Sequence, residues 1–358
     1  MSFVISCFSD LEDPRASNSR HRLGDLIVMM LAASICGAAC ATEFALFARE
    51  RRAALSQLID YEVAPSHDTF SRLLRLLEPV GFGQALARLA EGFAAAVAAA
   101  GGPQVVALDG KALRRAYERG HVASPPLAVS AFAARARLCL AACAPGPDEN
   151  EVEAALKVVG MLDLAGHLVT ADALHCHHRM AEALSAKGAD YLLALKGNRP
   201  DWLKAAKATF AAAETPDLGH EEIAHDRREV RRVWVRPAAA PLTAGHQAFV
   251  KLVSQRNGGR PVTRFFLASR PFAPDEALAV VRAHWQIENA LHWMLDVHLG
   301  EDTVRRRKDH AAANTAIITR LARNILQYCE TGNTPISHRI KKCAWNDNYL
   351  VAALTHMQ

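Results

Sequence analysis

The chain has 358 residues, 51% of them apolar and 22% charged, a balance that excludes a disordered protein and leaves room for two or three domains. Its 42 basic and 37 acidic residues leave a formal charge of +5, which suits a nucleic-acid partner but is too mild to identify one. Eight cysteines without a C-x-x-C pair exclude a disulfide framework in so long a chain and predict free, mostly buried thiols in a reducing compartment.

The opening MSFVISCFSDLEDPR lacks a basic n-region and a small-residue cleavage site, so no signal peptide is expected. The apolar run Leu26–Ala41 is shorter than the roughly 20 residues of a membrane span, and Arg22, Asp25 and Glu43 flank it. It reads as a core helix, not a membrane segment. Within LGDLIVMMLAASICGAA the pattern is that of a buried helix, and ATEFALFARERRAALSQLI that of an amphipathic one. SHDTFSRLLRLLEP follows as a third, with Ser66 as its cap and a stop before Pro79. An Ala-rich helix, FGQALARLAEGFAAAVAAA, runs to Gly101-Gly102, the strongest boundary signal in the chain. Residues 10–100 therefore predict a helical N-terminal domain.

Beyond that junction the texture changes. PQVVALDG has the pattern of a buried strand ending in an acid, and LAVSAFAA and ARLCLAACA read as two more strands beside it. NEVEAALKVVGMLDL predicts a helix, HLVTADA a strand ending in a second acid, HHRMAEALSAKG a helix, and DYLLALKG a strand followed by a helix from Pro200. From about 219 to 270 the segments REVRRVWVRP, QAFVKLVSQR and TRFFLAS alternate polar and apolar residues as half-exposed strands do. After Pro274 two long helices are expected, DEALAVVRAHWQIENALHWMLDVHL and DHAAANTAIITRLARNILQYCE, and 331–358 is left as a C-terminal tail. The fold class is α/β: a mixed sheet covered by helices, with a β-rich insertion and a small helical domain in front.

Asp109 and Asp172 end two buried strands, and Glu288 lies inside the first long C-terminal helix. A carboxylate at the end of a buried strand is costly unless it meets a positive partner. Two such strands side by side, with a helix packed on their edge, bring three hard oxygen ligands together, a set suited to Mg²⁺ or Mn²⁺. Two such ions serve phosphodiester chemistry without a Ser, Cys or His nucleophile. Spacing alone leaves open the plainer reading of a turn residue and a helix cap.

The segments LDGKALR, VTADALHCH, DYLLALKGN and HWQIENALHWMLDVHLGED, in this order, resemble the insertion-sequence transposases of the DDE type, in the branch that includes the H-repeat-associated proteins. DPR, RHRLGDLIVMMLAASICGA and SHDTFSRLL resemble the N-terminal associated domain of that branch. The likeness runs from about residue 10 to 330. It implies a ribonuclease-H-like catalytic core over 103–330, interrupted at about 219–270 by a β insertion. Asp109, Asp172 and Glu288 match the metal-binding and catalytic acids, and the implied reaction is hydrolytic nicking at element ends, then attack of the freed 3′-hydroxyl on target DNA. It also implies a cytoplasmic, nucleoid-associated homo-oligomer working on paired terminal repeats. The alternatives are a domesticated DNA-binding protein without recombination activity and a stand-alone metal-dependent nuclease. The chain departs from many relatives in carrying Val281, His284 and Leu295 or Asp296 where a tyrosine, an arginine and a lysine surround the glutamate. His177 and Arg199 each replace an expected glutamine.

Lys111, Arg114, Lys196 and Asn198 at strand ends, and the run Arg305, Arg306, Arg307 and Lys308, are candidate contacts to DNA phosphate. Arg227, Arg228, Arg231, Arg232 and Arg236 decorate the insertion in the same sense. His284, Glu288 and His292 share a helix face, read as flanking the acid and touching DNA, with zinc as the minor alternative. His175, Cys176, His177 and His178 are dense but expected to diverge. Trp285 and Trp293 are expected to pack their helix onto the core.

Overall fold

The computed structural model describes residues 2–93, 104–116, 125–146, 148–212, 215–224, 227–303, 305–330 and 332–355. Near-continuous apolar runs, buried on both faces, form β1 (Val105–Ala112), β2 (Leu127–Ala133), β3 (Leu138–Cys143), β4 (Leu168–Ala171) and β5 (Asp190–Leu195). They continue as β6 (Leu218–Ala224), β7 (Arg227–Pro237), β8 (Ala248–Arg256) and β9 (Val262–Ala268). All nine make one mixed sheet in the order β3-β2-β1-β4-β5-β9-β8-β7-β6. The β1-β4 and β4-β5 pairs are parallel, whereas β2 runs antiparallel to both β1 and β3. The β-rich stretch is not a body apart: β9 pairs antiparallel with β5, and β8, β7 and β6 extend the same sheet outward. β6 lies just ahead of the three strands legible in that region.

The helices preceding the sheet are α1 (Ser2–Ser6), α2 (Leu23–Ile35), α3 (Ala41–Glu50), α4 (Arg52–Leu55), α5 (His67–Leu76) and α6 (Pro79–Glu91). Ser66 accepts a hydrogen bond from the Thr69 backbone N–H, as its position before the apolar stripe predicts. The expected amphipathic helix breaks in two at Arg51. Gly101 and Gly102, and the later part of the Ala-rich stretch, lie outside the described residues. Between and after the strands come α7 (Glu151–Gly160), α8 (His178–Ala186), α9 (Pro200–Thr209), α10 (Pro274–His284), a π-helical turn (Ile287–His292), α11 (Trp293–Val297) and α12 (Ala311–Tyr328). The supposed C-terminal tail folds into α13 (Ile336–Trp345) and α14 (Asp347–Thr355). It is ordered for a reason legible only in three dimensions. Buried Arg339 donates to the Leu326 and Gln327 carbonyls, 2.9 and 2.6 Å away, closing the end of α12, while Cys343, Leu350 and Leu354 are buried.

α2 is buried from Leu26 through Ile35, which explains its near-continuous apolar run. No helix among the described residues is long and apolar enough to cross a membrane. One apolar cluster joins α2, α5 and α6 to Ala107, Phe132 and Leu138 of the sheet, to Ile287 and Leu291, and to α12 and α14. A second lies under α7 and α8 and takes Val106, Leu108, Val169 and Leu193. The sheet is thus covered on both faces. All eight cysteines are free.

His246, away from the three acids, illustrates how burial couples to pH. Its Nδ1 accepts from the Leu242 N–H and its Nε2 faces the Ala248 carbonyl at 3.1 Å, so the neutral ring is fully satisfied. Burial pushes it down to about 4, and does the same to His177 and His284. Groups depressed in this way stabilise the fold fully above an unfolded pKa of about 6.5 and lose that contribution as pH falls toward 4. The urea midpoint is expected to drop across that window with a slope of more than one proton.

Candidate active site

Strand alternation turns Ala107, Asp109 and Lys111 to one face of β1. The parallel register Ala107↔Thr170 and Leu108↔Ala171 puts Thr170 and Asp172 on the same face of the adjoining strand. Asp109 and Asp172 are therefore lateral neighbours just past the β1-β4 pairing, on strands spaced about 4.8 Å apart. Asp172 follows the last residue of β4, whereas β1 runs on past Asp109 to Ala112, which corrects the expectation that Asp109 ends its strand. The helical cover supplies the third acid. Ile287 and Leu291 pack in the same cluster as Ala107, which seats the π turn over the end of β1. Glu288 and His292, four residues apart on that turn, then face the strand together. The His292 Nδ1 lies 3.4 Å from the Glu288 Oε2 and 3.7 Å from the Asp109 Oδ2. One donor atom from each of Asp109, Glu288 and His292 falls within 4.8 Å of the others.

The electrostatics follow from unequal burial. Asp109 is largely enclosed and its carboxyl is pushed up to about 7, first by burial and then by the charges of Glu288 and Asp172. Glu288 is half exposed and held below the usual carboxylate range, chiefly by its hydrogen bond from His292.

Around this centre the chain builds a frame. Gly110 has no side chain where a Cβ would stand 2.2 Å from the Glu151 Oε1, and Glu151 lies 3.3 Å from the buried His175 ring. Lys111, 7% exposed, points its ammonium at Asp296 (2.6 Å), Asp302 (3.0 Å) and Glu301 (3.6 Å). Glu301 in turn receives Arg320 at 2.6 Å, and the Arg320 Nε donates to the Ser130 hydroxyl at 2.8 Å. This chain of charges ties the end of β1 and Ser130 of β2 to the segments that follow the glutamate turn. Arg323, wholly buried, donates to the Ala290 carbonyl at 3.2 Å and so serves the widened turn directly.

A family model described as "Transposase DDE domain" matches residues 100–325, and one described as "DDE_Tnp_1-associated" matches residues 5–90. The chain belongs to the DDE transposase family. It is 27% identical to the H repeat-associated protein YhhI of Escherichia coli (strain K12), covering 93% of this chain and 92% of that protein. It is 32% identical, over 66% of this chain and 81% of the relative, to the protein of the dhlA 3′ region of Xanthobacter autotrophicus. Among solved structures, the piggyBac transposase synaptic complex with hairpin DNA aligns over 99% of this chain and 78% of that one, at 11% identity and a TM-score of 0.43.

For this family member the predicted cations divide into two groups. Lys111 and Arg306 are internal. Lys111 is enclosed by three carboxylates, and the Arg306 guanidinium bonds the Thr315 hydroxyl and the Ala39 carbonyl and stacks on Phe44 at 5.2 Å, which corrects their reading as phosphate contacts. Arg114, Lys196, Arg305, Arg307 and Lys308 are exposed. Asn198 braces the turn after the second acid by donating to the Ala173 carbonyl at 2.6 Å, and Arg199 donates to the Cys176 carbonyl at 3.1 Å. Asp172 itself caps that turn, accepting from the Leu174 N–H at 2.9 Å. The insertion's arginines are mostly neutralised by nearby acids: Arg228 by Glu221 and Arg231 by Glu222 across the β6-β7 pair, Arg231 also by Glu229 on its own strand, and Arg236 by Asp217.

His284 does not join Glu288 and His292 in a three-ligand face, because its Nδ1 engages the Thr170 hydroxyl at 3.0 Å. His175, His177 and His178 diverge toward Glu151, the Met180 N–H and the Thr243 hydroxyl. Trp285 and Trp293 are 48% and 52% exposed, so neither is the core anchor that their size predicts. Trp285 instead forms one wall of a cavity of about 490 Å³ that opens beside Asp172, between β4, β5, β9 and α10, with Lys196 at its edge.

Proposed function

We propose that the chain is a DNA transposase that cleaves phosphodiester bonds at element ends and joins the freed 3′-hydroxyl to target DNA. One observation carries the reading. Asp109 and Asp172 stand side by side just past the last pair of the parallel β1-β4 register, Leu108↔Ala171, and a donor atom of Glu288 comes within 4.8 Å of one of Asp109. The strand order β3-β2-β1-β4-β5, in which β2 alone is reversed, supports a ribonuclease-H-like core.

The donor set fits a divalent cation of the Mg²⁺ or Mn²⁺ kind. It consists of carboxylates whose mutual repulsion and burial hold Asp109 near 7, a local shortage of positive charge that a cation relieves. When bound, such ions neutralise a phosphodiester and activate the attacking hydroxyl. The protein's part is positional. Asp109 and Asp172 hold one side from the rigid sheet, and Glu288 closes the other from the π turn. Arg114, Lys196, Arg305 and Lys308 are exposed cations able to take backbone phosphates. Trp285 and the neutral His284 line the approach to Asp172.

The deciding experiment supplies the purified full chain with its own terminal repeats and Mg²⁺ or Mn²⁺. Nicking at the repeat ends followed by a joined product is expected. Cleavage without joining indicates a nuclease instead. Binding that is unchanged when all three acids are replaced, with no cleavage in either protein, indicates a DNA-binding protein that has lost recombination.

A further inference from the structure

The geometry points to His292 as a direct nitrogen ligand of the ion held by Asp109 and Glu288, making that position a mixed nitrogen–oxygen site chemically distinct from the all-oxygen one beside Asp172. This rests on the metal-dependent reading above and deepens it.

His292 is only 5% exposed, so an imidazole has been taken out of water. A histidine buried for packing ordinarily satisfies both ring nitrogens, as His246 does. His292 does not. Its Nε2 is buried with no hydrogen-bond partner among the described residues, and its Nδ1 is turned toward the carboxylates of Asp109 and Glu288. The 3.7 Å separation from Asp109 is too long for a hydrogen bond, and 3.4 Å from Glu288 is a weak one. Both are close to the spacing of neighbouring donors around a divalent ion, about 3.0–3.5 Å for bonds of about 2.1 Å.

Asp172 stands apart. It is not one of the three converging donors, and one of its oxygens already caps the turn through Leu174. Its remaining oxygen and Asp109 offer only oxygen. The helix places the imidazole by its own period: four residues after Glu288, on a π turn seated by Ile287 and Leu291. Imidazole favours Mn²⁺ and the later transition ions over Mg²⁺, which keeps to oxygen and water. The two positions therefore differ in which ion they select.

Mn²⁺ is the probe, added to the full-length chain without DNA and followed by calorimetry and pulsed electron paramagnetic resonance. The expected result is Mn²⁺ binding with a ¹⁴N coupling of directly coordinated nitrogen. That coupling disappears in His292→Asp while Mn²⁺ is still bound, and Mn²⁺ affinity falls about tenfold or more, the scale on which changes even in outer ligand shells act. His292→Asn serves if the aspartate variant fails to fold by circular dichroism. Mn²⁺ bound without nitrogen coupling, or coupling unchanged in the variant, overturns the assignment but leaves a carboxylate-only metal enzyme standing. A folded chain that binds no Mn²⁺ overturns both.

Discussion

Asp109→Asn is expected to abolish metal-dependent strand cleavage, by more than about 10³-fold, while making the metal-free protein more stable. The first effect follows because the ion supplies several kcal/mol of transition-state stabilisation and each 1.4 kcal/mol is about tenfold in rate. The second follows from the sign of the shift. A carboxyl raised to about 7 opposes folding once ionised, so its penalty is absent below about pH 4 and grows as pH rises through 7. Asparagine carries no such penalty. The difference in melting temperature between variant and wild type is therefore expected to widen from pH 5 to pH 8, reaching a few °C, an effect on the order of 1–3 kcal/mol. Added Mg²⁺ or Mn²⁺ stabilises the wild type alone. A variant less stable than wild type at pH 8 without metal contradicts this account.

Arg320→Met is expected to cost about 3–5 kcal/mol of stability, the cost of leaving a buried charge without its partner. Arg320 is fully buried and Glu301 is 3% exposed; beyond their 2.6 Å contact Glu301 has the Lys111 ammonium at 3.6 Å and accepts from the Thr319 hydroxyl at 3.1 Å. The double variant Arg320→Met, Glu301→Leu is expected to recover most of that loss, because it removes both charges. Activity is expected to stay low even so: Glu301 is part of the frame that joins Lys111 to α11 and through it to Glu288. Urea denaturation of the two variants separates stability from activity. If the double variant restores both, the frame has no role beyond charge neutralisation.

The placing of Asp109 beside Asp172 was legible because each follows a near-continuous apolar run of a buried strand, although β1 continues past Asp109 to Ala112 and β4 stops one residue before Asp172. The core-helix reading of Leu26–Ala41 rests on length and flanking charge; α2 is buried from Leu26 to Ile35, but the helix ends there and residues 36–40 form a partly exposed turn. Arg306 and Lys111 were misread for one physical reason: a basic residue looks alike in sequence whether water or a buried carboxylate receives it. A signal for Arg320 and Arg323 did exist, since both fall among Ile317, Leu321 and Asn324 on the inward face of an apolar helix. The π turn left no such mark. Its widening depends on Arg323 reaching the Ala290 carbonyl from another helix, a contact made 33 residues along the chain. Likewise, nothing local to residues 331–358 announces that Arg339 folds them back onto α12.

That same α12 has a consequence for anyone trimming the protein. Its flanks are shared between the opening helices, the sheet and the closing pair, with Asn314 donating to the Leu74 and Leu77 carbonyls and Asn324 to that of Cys139. The first ninety residues are therefore no detachable handle for DNA. Cutting them away strips the outer wall from the very rod that props up the glutamate, and the remainder would lose its chemistry along with its solubility.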